Sequence, residues 1–377
     1  MDLNFYMPVQ LFTGEGCVKR ELARMSRYGR RCLILTGAHA AAASGALDDV
    51  MEVMAGAGVD VTVFPGIGQN PLLTQCQNAA FAADTCRADF LIGVGGGSVM
   101  DATKAAAWIA ENITAHTDRL FAGQYRHDPL PFALVGLTAG TGSEVSPVAV
   151  LTCPDGRKRS VSDPRCYARM AFGDPRYTGS LPRVPTEASA LDAFCHAAEG
   201  YLNPACSDAA EVFAAKALPL LADGLEALSR LSPEERPDAA LRERLYYGSL
   251  WAGMVLNALG TSYPHPMGYV LTEDFGVPHG AACAVFLPDL LDRTAEYWPE
   301  RMASFDVLTG GRDRLLPLLR QLTKADIAMT PEQAETYACR WDPDKGGAVP
   351  HNFARVAGGF TPSDARKLLW ELFVKEN

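Results

Sequence analysis

The sequence predicts an α/β amino-terminal domain, residues 1–180, on a mostly parallel, Rossmann-like sheet, followed by an all-α carboxy-terminal domain, residues 181–377. Three observations predict it. From about Arg31 short apolar runs alternate with helical patterns, the order of β-α-β units. The runs LILT and FLIGV are apolar throughout, as strands covered on both faces are. After DPRYTGSLPRVPTEAS, residues 174–189, strand signals fade and long Ala/Leu/Glu/Arg-rich stretches take over.

The elements follow in order. RCLILTG is a strand, ALDDVMEVMAGAG a helix, VDVTVFPG a strand, LLTQCQNAAFAADTCRA a helix and DFLIGVGGG a strand. PFALVGLT, residues 131–138, adds another strand. DAFCHAAEGYL, SDAAEVFAAKALPLLADGLEAL and RERLYYGSLWAGMVLNALG are helices, the last two separated by LSPEERPD, whose prolines mark a loop. The sequence shows no internal repeat and no low-complexity tract.

Composition excludes several classes of function. A chain of 377 residues with 48% hydrophobic content fills ordinary globular cores without staples. A net charge of -10 repels phosphate backbones and anionic lipid, so neither nucleic acid nor membrane is an expected partner. No apolar stretch reaches transmembrane length, and the first residues have no cationic, apolar leader pattern. Ten scattered cysteines without a CxxC pair fit a reducing compartment, and a cytoplasmic protein is expected.

Two turns suit a nucleotide. Gly95, Gly96, Gly97 and Ser98 join the strand DFLIGVG to an Ala-rich helix beginning near Val99, where a close backbone and free N–H groups would meet a pyrophosphate. The spacing is not G-x-G-x-x-G, and a ligand-free strand-to-helix turn remains the alternative. In LTAGTGSEVSPVAVLT, the hydroxyls of Thr138, Thr141, Ser143 and Ser146 and the amides of Gly140 and Gly142 could line a ribose and a nicotinamide. Lys158 could reach the same nucleotide, although solvation at the surface is the commoner fate of a lysine.

A metal site is the third reading. Asp192 and His196 stand four apart in a helical stretch, so their side chains share one face. His265 in SYPHPMGY and His279 in GVPHG sit beside proline and glycine, where turns could aim imidazoles inward. One oxygen and three nitrogen donors suit Fe(II) or Zn(II). Each histidine taken alone could equally be a satisfied core residue.

These motifs, in this order and spacing, resemble the iron-containing alcohol dehydrogenases, of the dehydroquinate synthase-like superfamily. The resemblance runs through MPVQLFTGEG, ASGALDDV, PGIGQNP, ADFLIGVGGGSVMDATKA, LTAGTGSEVSPVAVLT, AFGDP, LDAFCHAAEGYLN and GVPHGAACAVFLP. It implies a dinucleotide-binding α/β domain, a helical metal-binding domain, and an active site in the cleft between them. The family's metal ligands fall on Asp192, His196, His265 and His279, the last two fourteen positions apart as in the family. It further implies cofactor contacts at Gly37, Asn70, Gly95, Gly96, Gly97, Ser98, Asp101, Thr138, Thr141, Ser146, Lys158 and Leu181. The implied activity is hydride transfer between NAD(P)(H) and a small primary alcohol or aldehyde, in a homodimer.

Two departures bear on mechanism. Where the family commonly carries a second histidine four residues after its third ligand, this chain has Tyr269, expected as the catalytic hydroxyl or as a wall of the cleft. Where NAD-preferring members often place an acid after the strand LILT, it has Gly37, which leaves room for a 2'-phosphate and leans the expectation to NADP(H). Glu199 is read as solvent-facing rather than bonded to a ligand. His39, His116, His127 and His351 are left structural or exposed. The rival readings are a glycerol dehydrogenase, an inactive nucleotide- and metal-binding relative, and a dehydroquinate synthase-like lyase. The lyase requires paired cations around a phosphorylated substrate, and no such cluster stands near His265 and His279.

Overall fold

The computed structural model describes residues 5–112, 118–123, 125–232, 234–324 and 327–374. His116 lies outside them. Among the described residues eight strands form: β1 (Gln10–Thr13), β2 (Arg31–Thr36), β3 (Asp60–Phe64), β4 (Phe90–Gly95), β5 (Phe132–Gly136), β6 (Val148–Thr152), β7 (Lys158–Ser162) and β8 (Met170–Gly173). Six make one parallel sheet in the order β1-β8-β5-β4-β2-β3, and β6 and β7 pair separately as an antiparallel hairpin. The sequence reading found β2 to β5. It passed over β1 and β8, only four residues each, and the hairpin, whose KRSVS strand has little apolar content.

The unbroken apolar runs have the expected cause. Leu33, Leu35, Leu91 and Leu134 point into one buried layer with the Gly97–Glu111 helix, while Ile34, Ile92, Val94 and Val135 point into the opposite layer. Alternation along a strand therefore buries both sets. In register, β2, β4 and β5 bring Thr36, Val94, Gly95 and Gly136 to one edge, so the segments beginning at Gly37, Gly96 and Leu137 leave the sheet side by side. Ligands of open α/β sheets bind beyond that edge.

From Arg183 on, every long element is helical, and a single apolar cluster joins the Arg183–Tyr201, Asp208–Arg230 and Ala239–Leu259 helices. Ser207 and Asp238 cap the latter two by accepting the amides of Ala210 and Leu241. Among the described residues no helix is long and apolar enough to cross a membrane, and all ten cysteines are unpaired.

Candidate metal and cofactor site

The Arg183–Tyr201 helix is buried along most of its length and carries Asp192 and His196 one turn apart. His265 and His279 reach the same place from helices rather than from turns. His265 is the second residue of the Pro264–Phe275 helix and His279 the first of the His279–Ala284 helix. Pro264 opens its helix, because its fixed φ and missing N–H suit a first turn, and Pro278 is the residue just before the other helix. That is a correction to the turn expected from the sequence.

Three imidazoles converge on one carboxylate oxygen. Nε2 of His196, His265 and His279 lie 3.7, 3.6 and 3.9 Å from Asp192 Oδ1. These separations are too long for hydrogen bonds, and Asp192 Oδ1 and His265 Nε2 are buried with no partner. A tetrahedral cation with bonds of about 2.1 Å spaces its donors by about 3.4 Å, so the four groups fit a transition-metal ion. Unpartnered buried polar atoms are costly, and an ion at their focus satisfies them together.

Electrostatics favours the donor forms. Burial pulls His196 down to about 4 and His279 down to about 3, which leaves both neutral at pH 7. Burial alone would push the Asp192 carboxyl up, but the three imidazoles outweigh it and hold it well below the usual carboxylate range. His265 is opposed by burial yet held up at about 10 by Glu199 and Asp192, so a cation bound there would have to displace the Nε2 proton.

Glu199 corrects the expectation of a solvated residue. It is 1% exposed and accepts from the Ser262 amide (2.7 Å), the Ser262 hydroxyl (3.2 Å) and His265 Nδ1 (2.6 Å). A carboxylate behind a ligating histidine fixes the tautomer and turns Nε2 toward the ion. Tyr269 is half-buried, its ring stacked on His279 at 5.4 Å and 15°. Lys158, expected mainly at the surface, is turned inward from β7, its Nζ 5.3 Å from the Tyr269 ring centre, and burial lowers its pKa.

The cofactor candidates gather at the sheet edge. Gly95, Gly96 and Gly97 have packing reasons to be glycine: a Cβ at Gly95 would overlap Val99, one at Gly96 would lie 2.8 Å from Thr138 Cγ2, and one at Gly97 would overlap Thr141. None of the three has a positive φ. The two turns thus interlock, and the first N–H groups of the Gly97–Glu111 helix have no intrahelical acceptors. Asn70, at φ 53°, donates its amide to Ser98 Oγ; asparagine is among the few residues that tolerate this conformation. Ser146 is buried just after the Ser143–Val145 turn. Leu181 lines a small recess with Ala139, Thr178, Thr186, Ser189 and Arg242. Gly37 is partly buried, a Cβ there lying 3.4 Å from Ile67 O, while His39 is exposed.

Asp101 is engaged within the protein. Its carboxylate accepts from Ser143 Oγ (2.6 Å) and the Val150 amide (2.9 Å). Sequence reasoning missed the reason: Lys104, fully buried, donates to Ser143 Oγ (2.6 Å) and Val148 O (2.7 Å) and lies 3.8 Å from Asp101. Asp101 and Lys104 stand three apart on one helix face, a spacing that was visible. A Cβ at Gly140 would come 2.8 Å from Ser189, one turn before Asp192, so the threonine turn rests on the helix that carries the carboxylate.

Comparison with known proteins agrees with this fold. The model described as iron-containing alcohol dehydrogenase matches residues 8–175, and the one for the carboxy-terminal part of the Fe-containing alcohol dehydrogenase family matches residues 186–325. The chain is 31% identical over 324 residues to 1,3-propanediol dehydrogenase of Klebsiella pneumoniae, covering 81% of each, and 28% identical to NAD-dependent methanol dehydrogenase of Bacillus methanolicus, covering 81% of this chain and 80% of the other. A solved iron-containing alcohol dehydrogenase from Thermotoga maritima superposes with a TM-score of 0.88 at 30% identity, covering 98% of this chain and 99% of the other. A fold, a donor cluster and two family matches that between them take in most of the sequence lead to one conclusion: the chain belongs to the iron-containing alcohol dehydrogenase family.

Proposed function

We propose that this protein is a metal-dependent alcohol dehydrogenase and aldehyde reductase that transfers a hydride between a nicotinamide dinucleotide and a small primary alcohol or aldehyde. The observation that supports it most is the convergence of Asp192 with His196, His265 and His279, three of whose buried polar atoms have no partner, beside the interlocked glycine and threonine turns. Asp192, His196, His265 and His279 would hold Fe(II) or Zn(II), which supplies Lewis-acid polarisation of the substrate oxygen. The dinucleotide, held at Asn70, Gly95 to Ser98, Thr138, Thr141 and Ser146, supplies or accepts the hydride. We place the junction between the two domains near residue 180, and read the enzyme as a cytoplasmic homodimer.

The chain's own residues divide the remaining work. Glu199 keeps the His265 proton on Nδ1, and the neutral rings of His196 and His279 stay available as donors. The inward-turned Lys158 ammonium, beside the Tyr269 ring, would bond a ribose hydroxyl of the dinucleotide. Burial pushes the Tyr269 phenol far above its ordinary value, so at neutral pH it donates a hydrogen bond and does not abstract a proton. Tyr269→Phe is therefore expected to lower kcat/KM by about three- to tenfold, the worth of one hydrogen bond. A loss of about 10² or more, with a changed pH profile, would instead mark a general base. Steady-state kinetics of both proteins across pH decides.

NADP(H) is the preferred cofactor in this reading, since Gly37 offers no carboxylate to bond an adenosine 2'-hydroxyl or repel a 2'-phosphate. The test is the purified protein loaded with Fe(II) or Zn(II) and given NADPH or NADH with a panel of short aldehydes. Loss of absorbance at ~340 nm, faster with NADPH, is expected from the chemistry of the reduced nicotinamide. No turnover across the panel would refute the activity, and faster turnover with NADH would refute the preference.

A further inference from the structure

Lys104 is fully buried, and the roles given so far make no use of it. It lies one turn after Asp101 on the Gly97–Glu111 helix, the helix that the glycine turn opens, and the two side chains hold backbone groups of β6. Lys104 Nζ donates to Val148 O (2.7 Å), and the Asp101 carboxylate accepts the Val150 amide (2.9 Å). Ser143 Oγ closes the network, accepting from Lys104 (2.6 Å) and donating to Asp101 (2.6 Å). Two residues further along β6, the Thr152 amide donates to Pro71 O (2.9 Å) and its hydroxyl to Asn70 O (3.2 Å). Val148, Val150 and Thr152 alternate along the strand, so these backbone groups leave it on the edge turned away from β7. A two-stranded hairpin is marginal by itself. Here a pair of oppositely charged side chains and the Asn70 loop stand where a third strand would pair. Thr152 is directly opposite Lys158 across the hairpin, so whatever fixes β6 also fixes the residue whose Nζ stands 5.3 Å from the Tyr269 ring centre.

We propose that Lys104, acting with Asp101 and Ser143, is a positioning residue for dinucleotide binding: it seats the β6–β7 hairpin on the glycine-turn helix and so sets where Lys158 meets the nucleotide, without touching the nucleotide itself. The inference rests on the reading of Lys158 and of the dinucleotide given above. A buried lysine is costly unless it is paired and hydrogen-bonded, and an apolar side chain of similar length would fill the same space. What that side chain cannot supply is a donor to Val148 O.

The test uses the full-length protein loaded with Zn(II), titrated separately with NADPH and NADH and followed by the fluorescence of the bound nicotinamide, the cycle being built on whichever the wild type binds more tightly. Lys158→Ala is expected to weaken binding about tenfold, the worth of one hydrogen bond from a charged donor. Lys104→Met is expected to weaken it by about tenfold in the wild-type background and by less than about twofold in the Lys158→Ala background, because the two residues act by one route. Zinc content should not change. Ser143→Ala, a gentler cut in the same network, should show the same non-additivity with a smaller loss, and it carries the cycle if Lys104→Met does not fold. Unchanged affinity, an equal loss in both backgrounds, or loss of zinc alongside overturns the positioning role. If Lys158→Ala itself binds as wild type does, the hairpin has no hand in binding and the inference fails while the dehydrogenase reading stands. A wild-type protein that binds neither dinucleotide overturns both.

Discussion

Asp192→Asn is expected to lower kcat/KM for alcohol oxidation by about 10³-fold and to strip the protein of its cation. Asparagine nearly matches aspartate in volume, so the Arg183–Tyr201 helix keeps its packing and the change is one of charge. Among the described residues Asp192 is the one carboxylate at the focus of three imidazole nitrogens, 3.6 to 3.9 Å away. Without it a dication is held by dipoles alone, and the several kcal/mol of transition-state stabilisation that a Lewis acid supplies disappear; about 4 kcal/mol corresponds to three decades of rate. Folding should weaken as well. The surrounding imidazoles outweigh burial and hold the Asp192 carboxyl well below the usual range, so its charge stabilises the stripped protein at neutral pH and neutralising it removes that attraction. The variant is expected to unfold at lower denaturant than stripped wild type, while elemental analysis finds it empty. Full metal content with full activity would contradict the assignment.

What the sequence could reveal depended on whether a side chain's partner lay nearby in the chain. The strands β2, β4 and β5 were legible because both of their faces are buried, which leaves an unbroken apolar run in the letters. Asp192 and His196 were legible because an i, i+4 pair fixes its own geometry. Glu199 was not: its partners, Ser262 and His265, stand 63 and 66 residues away, and no local pattern separates a buried glutamate from a solvated one. Lys158 looked like a surface lysine because the strand that carries it, KRSVS, is polar and mostly exposed. Lys104 had legible spacing, three from Asp101, but a lysine ordinarily solvates. Only the fold buries it against Ser143 and Val148. The glycine turn was found for a reason that covers half its chemistry, since the three glycines also let the threonine turn close against them.

Gly280→Ala is expected to destabilise the protein by about 3 kcal/mol, the upper range for overpacking a filled core, and to disorganise the site together with the fold. A Cβ at Gly280 would overlap the Ala188 carbonyl oxygen and stand 2.5 Å from the Asp192 amide nitrogen and 2.7 Å from Asp192 Cβ. Ala188 and Asp192 lie within the Arg183–Tyr201 helix, whose backbone cannot yield without breaking its own hydrogen bonds. The short His279–Ala284 helix must move instead, and its other side is blocked where Gly268 meets Cys283. Any shift carries His279 away from Asp192, and misplacement by about 1 Å costs about 10²-fold in rate. Gly56→Ala is the control: Gly56 ends the Ala46–Gly56 helix with nothing within 4 Å of an added Cβ, so its change should be within about 1 kcal/mol and in the stabilising direction. Denaturant unfolding and metal content, read on both variants, separate a clash at the helix contact from a general effect of adding a methyl group. If Gly280→Ala unfolds like wild type and keeps its metal, the two helices are not held as close as the site requires.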